Sequence, residues 1–150
     1  MLLLSLILSL QACDDKMVID ENKTITNRNW DVAQPLHFDV SINDTISSYN
    51  MYVNVRNSNN YKFSNLYIFM HTKWPTGENE TDTLQLFLAS PDGKWLGNGL
   101  GDIYENQIQL KQNFKFYRSG QYRFTLEQAM RLNPLPGIID MGIRIEKNKP

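Results

Sequence analysis

Beyond residues 1–12 this sequence predicts an all-β fold, an antiparallel β-sandwich with jelly-roll-like connections. Three observations carry that prediction. Apolar residues recur with a period of two in one segment after another, the spacing of a strand with one buried face. Gly, Pro, Asn and Asp separate these segments at short intervals, as turns between antiparallel strands require. Helical signals are weak: Glu127 to Leu132 has room for one turn before Pro134 and Pro136 stop it.

The chain opens with an apolar run, Met1 to Leu10, then Gln11, Ala12 and Cys13, and turns abruptly polar at Asp14, Asp15 and Lys16. About ten apolar residues are half of what a helix needs to cross a bilayer. They match the apolar region of a signal peptide, with small Ala12 at the cleavage site. A cysteine directly after that site marks a lipoprotein signal; Leu10, Ala12 and Cys13 resemble the bacterial lipobox, from which Gln11 departs. Residues 1–12 are therefore expected to be cleaved off as a lipoprotein signal peptide, and Cys13 to carry a diacylglycerol thioether and an acylated amine. One acyl chain holds a protein on a membrane only reversibly, whereas three hold it durably. Residues 13–29 read as the lipidated cysteine and a polar tether, with Met17, Val18 and Ile19 as the one place where an edge strand competes. Residues 30–150 form the sandwich domain, long enough to bury a core without disulfides, which a single cysteine rules out within the chain.

Within that domain Leu36, Phe38, Val40 and Ile42 alternate with His37, Asp39 and Ser41, and Asn43-Asp44 closes the segment. Met51, Val53 and Val55 form the next strand. Tyr61 to Thr72 is apolar on both parities in its second half, the pattern of a strand buried on both faces; its aromatic and β-branched content favours strand over helix. Trp74-Pro75-Thr76-Gly77 breaks it. Leu84, Leu86 and Leu88 follow, then Pro91-Asp92-Gly93 as a turn. Tyr122, Phe124 and Leu126 form another strand, and Ile139, Met141, Ile143 and Ile145 the last.

Fifteen Lys and Arg against 16 Asp and Glu, without basic clusters, argue against a nucleic-acid partner. Catalytic chemistry finds no footing. His37 falls on the solvent parity of its strand, His71 reads as a rim residue, and no nucleophile elbow is present. Two distant histidines and one lipidated cysteine make no metal site, and Asp92 and Asp102 read as turn residues rather than calcium ligands. Gly97, Gly99 and Gly101 lack the strand–helix frame of a phosphate loop and read as a flexible loop. Catalytic residues, metals and cofactors are all expected to be absent. Tyr67, Phe69, Trp74 and Trp95 raise an alternative, a carbohydrate-binding surface lipoprotein using exposed aromatics, although aromatic side chains are first of all core material.

Other landmarks are not demanded by strand periodicity. Tyr49-Asn50-Met51-Tyr52, Arg56, Tyr61, Ser64-Asn65-Leu66, Asp82-Thr83-Leu84, Gly93-Lys94-Trp95-Leu96-Gly97 and Gly120-Gln121-Tyr122 form an ordered series. It continues through Gln128-Ala129-Met130-Arg131, Leu135, Gly137-Ile138 and Gly142-Ile143-Arg144. Together with the signal, this series resembles the gliding motility lipoprotein GldH family over essentially the whole chain. The resemblance implies an envelope lipoprotein of Bacteroidetes-type bacteria, required for surface gliding and tied to the secretion system that exports surface adhesins. It implies no enzymatic activity. The expected partners are a membrane, reached through the lipid, and other envelope lipoproteins or secretion and motility components, with the outer membrane favoured over the inner. Trp95, Met130 and Arg131 are the positions the resemblance marks for partner contact, beside a plainer role in loop anchoring and packing. Asp44-Thr45-Ile46 and Asp82-Thr83-Leu84 resemble the O-glycosylation acceptor used on exported proteins of that bacterial group, which makes Thr45 and Thr83 candidate acceptors.

Overall fold

The structure, a computed structural model, describes residues 16–148; the expected signal peptide, residues 1–12, and Cys13 lie outside the described residues. In chain order its strands are β1 (Met17–Thr24), β2 (Asn29–Trp30), β3 (Leu36–Ile42), β4 (Tyr49–Ser58), β5 (Asn65–Lys73), β6 (Asn79–Phe87), β7 (Asn98–Leu100), β8 (Ile103–Phe114), β9 (Gly120–Gln128), β10 (Leu135–Pro136) and β11 (Ile138–Lys147). Their pairing is antiparallel and nested: β1 with β11, β3 with β9, β4 with β8, β5 with β6. A long hairpin rolled up in this way sends its strands to two facing sheets, the jelly-roll connection. One sheet runs β1-β11-β4-β8-β7 and the other β3-β9-β5-β6, with β10 and β2 as a separate ribbon.

Each sheet turns one face inward, which is why the sequence alternates. Phe38, Val40, Leu66, Ile68, Tyr122 and Leu126 of the four-stranded sheet meet Met51, Val53, Met141, Ile143 and Ile145 of the five-stranded one, all essentially without solvent contact. At one end of the sandwich Tyr49, Phe114, Phe116 and Tyr122 pack ring against ring, with centroids 4.9–6.1 Å apart. Beside them the β3–β4 turn is held by Asp44. Its carboxylate accepts the N–H groups of Ile46 and Ser47 and the Ser47 hydroxyl, and faces Lys147 at 3.0 Å. The Ser47 amide and hydroxyl foremost hold that carboxyl well below the usual carboxylate range.

Three expectations change. The tether gives way at Met17, because residues 17–24 pair along β11 as an edge strand. Its outward residues are Asp20, Asn22 and Thr24, and only Val18 and Ile19 pack against the core, so beyond them it reads as linker; its charges also protect an open edge. The strand expected to be buried on both faces, β5, is buried on one: Leu66, Ile68 and Met70 face the core while Tyr67 and Phe69 face outward. The Gly97–Gly101 loop contains a strand, β7, hydrogen-bonded to β8. In keeping with the weak helical signals, no helical turn forms at Glu127–Leu132; β9 runs on to Gln128 and then bends.

Close approach of β1 to β11 requires glycine at one point. A Cβ on Gly142 would run into the Asn22 side chain and stand 2.5 Å from the Glu21 carbonyl oxygen. Gly142→Ala is expected to lower unfolding free energy by about 1–3 kcal/mol, read as a lower urea midpoint, with faster amide exchange along β1.

Candidate functional site

Register across the five-stranded sheet assembles a polar groove on its outer face. One row of partners runs Thr24, Asp140, Arg56, Glu105, Asn98, and the next Asn22, Gly142, Asn54, Gln107. Gly142 leaves the second row open in the middle, and the flanking amides close over it. Asn54 Nδ2 donates to Asp20 Oδ1 at 3.0 Å and to Asn22 Oδ1 at 3.2 Å, and Gln107 Nε2 donates to Asn54 Oδ1 at 3.2 Å. Arg56 reaches Asp140 at 2.9 Å and Glu105 at 3.7 Å. Arg144 spans Asp20 and Glu146 at 2.9 and 2.8 Å, and the Glu146 carboxylate holds its guanidinium above the ordinary value. The groove encloses about 390 Å³.

Chemically this surface offers donors and acceptors without a nucleophile. Its carboxylates are committed to arginines, and Arg56 Nε and Asp140 Oδ1 are buried with no hydrogen-bond partner among the described residues. A buried polar atom left unpaired costs about 1–3 kcal/mol, so the Arg56–Asp140 pair is a constraint accepted in the middle of the sheet. The arrangement can hold a polar group; it has nothing to activate one.

The residues marked by the sequence fall in separate places. Met130 and Arg131 follow β9, and with Phe63, Asn65, Tyr67 and Ala129 they line a mostly apolar cavity of about 350 Å³. Met130 Sδ accepts the Tyr67 amide at 3.2 Å, which ties the loop to β5. Trp95 does not join them: it lies in the β6–β7 connection, half-buried, its ring 5.5 Å from Tyr104. Thr83 points outward, exposed on the edge strand β6 opposite Phe69, whereas Thr45 sits in the Asp44 turn. The aromatic platform disperses. Tyr67 and Phe69 lie on the outer face of the four-stranded sheet, Trp74 packs on Tyr122 at the far end, and Trp95 is on neither surface.

His37 is exposed and bonded to Thr125 at 2.8 Å. His71 contacts Thr81 at 2.8 Å and Glu127 at 3.4 Å, an order of groups seen in hydrolytic triads. These three stand side by side on the outer face of the four-stranded sheet, placed there by the β5–β6 and β5–β9 register. Asp92 is turned toward Ser90 and Lys94. Among the described residues no three His, Cys, Asp or Glu gather as a metal site.

Sequence reasoning named Gln128 only as part of the family series and gave it no role. It continues the inward parity of Tyr122, Phe124 and Leu126, and its side chain is 1% exposed. Its Oε1 accepts the Met130 amide at 2.9 Å and its Nε2 donates to the Leu132 carbonyl at 3.1 Å, so one buried amide shapes the loop that presents Met130 and Arg131.

Comparison with known proteins gives one answer. Residues 17–145 match the family described as GldH lipoprotein. A protein of Christiangramia forsetii, the gliding motility lipoprotein GldH homolog, is 38% identical over 149 residues, covering 95% of this chain and 91% of that one. The gliding motility lipoprotein GldH of Flavobacterium johnsoniae is 39% identical over 153 residues, covering 97% and 94%.

Gln128→Leu, which strands the Met130 amide and the Leu132 carbonyl, is expected to cost about 1–3 kcal/mol in urea unfolding. Faster exchange of the amide at 130 should accompany that loss.

Proposed function

This chain belongs to the GldH lipoprotein family, and on that footing we propose that it is a lipid-anchored, non-enzymatic envelope protein serving gliding motility and the associated secretion machinery as an accessory or scaffold. Residues 1–12 are removed, Cys13 carries the lipid, and the leash between lipid and fold is the short stretch ahead of Met17. The outer membrane is favoured over the inner.

The observation that carries this reading is the separation of two ends. Lys16 is bonded at the end of the sandwich where β11 finishes, its carbonyl accepting the Lys147 amide at 2.7 Å. Met130 and Arg131 lie at the other end, where β9 finishes. Nine residues of β9 at ~3.3 Å each set the two about 30 Å apart. A domain tethered at one end is confined to two dimensions, which raises its effective concentration for a neighbour that meets the other. The cavity beside Met130, with Phe63 and Tyr67 in its wall and Arg131 at its lip, has the aromatic and arginine composition of protein contact sites. The partners it suits are other envelope lipoproteins or components of the secretion and motility apparatus. Thr83, exposed on β6, is the better placed of the two candidate glycosylation acceptors.

The test is a chain carrying Tyr67→Asp and Met130→Asp in its own bacterium, with protein level and membrane fractionation followed alongside colony spreading. Spreading is expected to fail while the protein persists in the membrane fraction. Normal spreading at a normal level excludes the Met130 surface as the working contact.

A further inference from the structure

Cys13 precedes Lys16 by three residues, and three trans peptide units reach ~11 Å at most. That limit is covalent and holds for any conformation of the segment. Lys16 is itself fixed to the end of the fold. Lys147 N donates to its carbonyl at 2.7 Å, Asn148 N donates to Ser48 O at 2.9 Å, and Asn148 Nδ2 donates to Ser48 Oγ at 3.2 Å. An acyl anchor on Cys13 therefore holds the β3–β4 turn and its neighbours against the bilayer.

The surface so presented is built from three loops. Thr45, Pro75, Thr76, Tyr117, Arg118 and Ser119 line one shallow groove, so the β3–β4, β5–β6 and β8–β9 connections meet side by side. Two large apolar residues project from it, Ile46 at 85% exposure and Tyr117 at 81%. Ile46 is held there rather than frayed, since Asp44 accepts its amide at 2.9 Å. Arg118 shares the groove with Tyr117, exposed Lys111 and Lys115 line the neighbouring one with Tyr117 and Glu80, and Asp44 beside Ile46 is matched by Lys147. An isolated apolar tip, a tyrosine and a surrounding set of long basic side chains form the composition of a headgroup-level contact. The aromatic ring is amphipathic, and the lysine stems follow it into the interface while their charges reach phosphate.

We propose that this end of the sandwich is a second, non-covalent membrane contact, which seats Ile46 and Tyr117 at the level of the phospholipid headgroups and stands the domain upright on its anchor. It rests on Cys13 being the lipidated residue. The occupant is the bilayer surface: the covalent reach from Cys13 places it there, and Lys111, Lys115 and Arg118 around Tyr117 suit anionic phospholipid, each such charge multiplying partition about fivefold, while Asp14 and Asp15 beside the anchor offset part of that attraction. The upright stance turns the Met130 surface away from the membrane and leaves Thr45 at the headgroups, with Thr83 accessible on the side.

Lipidation consumes the chain's single thiol, so Ile46→Cys or Leu100→Cys supplies one labelling site each. These positions are matched in exposure, 85% and 84%, at opposite ends of the fold. The full chain is matured in cells, labelled with an environment-sensitive nitrobenzoxadiazole and reconstituted in vesicles of phosphatidylethanolamine and phosphatidylglycerol containing a doxyl-lipid quencher. The probe at 46 is expected to shift to the blue and be quenched, the probe at 100 to report water, and Lys115→Glu with Arg118→Glu to diminish the signal at 46. A chain that floats with the vesicles while both probes report water, or both respond alike, overturns the docking and leaves the anchor standing. A chain that fails to float, and takes up label at Cys13, overturns the anchor and the docking with it.

Discussion

Pairing of β1 with β11 is the contact on which the remaining structure depends. It closes one edge of the five-stranded sheet and contributes Asp20 and Asn22 to the polar groove. It also ties Lys16 to one chosen end of the sandwich. β11 repays burial on its other face, where Met141, Ile143 and Ile145 enter the core without solvent contact. The price of so close an edge is a position without a side chain, Gly142, over which Asn22 and Asn54 meet. A strand with only Val18 and Ile19 packed on the core and Asp20 and Asn22 turned outward is thereby held largely through main-chain hydrogen bonds.

The alternation of Leu36 to Ile42, Met51 to Val55, Tyr122 to Leu126 and Ile139 to Ile145 made the core strands legible, because a face packed on a second sheet permits few polar residues. The nested order of a rolled hairpin follows that alternation and its turns. What stayed hidden has physical causes. β1 is an edge strand, so its side chains carry no burial pattern. β5 looked double-faced because Tyr67 and Phe69 sit on an outer surface that tolerates them. β7 was masked by glycines; at Gly97 the room for a Cβ is taken by Asn106. The groove has no local signature, since Asp20, Asn54, Glu105 and Asp140 meet only through cross-strand register. Trp95 and Met130 were marked together by family resemblance, yet one packs on Tyr104 and the other on β5.

On the function proposed here, ends and faces matter more than reacting groups. His37 and His71 lie on the outer face of the four-stranded sheet beside Thr125 and Thr81, and the carboxylates of the polar groove pair with Arg56 and Arg144. Among the described residues the most exposed apolar side chains are Ile46 and Tyr117 at one end and Leu100 at the other, with Phe87, Leu96 and Tyr67 less so. A sandwich is stiff along its strands, so a lipid attached near one end fixes what the other can reach. On the reading proposed here, family membership supplies the task in gliding and secretion, and geometry supplies the direction in which the domain points.

Everything about orientation comes back to the chemistry of one residue, and the mass of the mature N-terminal peptide tests it most directly. Protein taken from native membranes is expected to begin at Cys13, with that residue carrying a diacylglycerol on sulfur and an acyl group on nitrogen. A peptide that begins elsewhere, or a Cys13 with an unmodified thiol, would contradict the account.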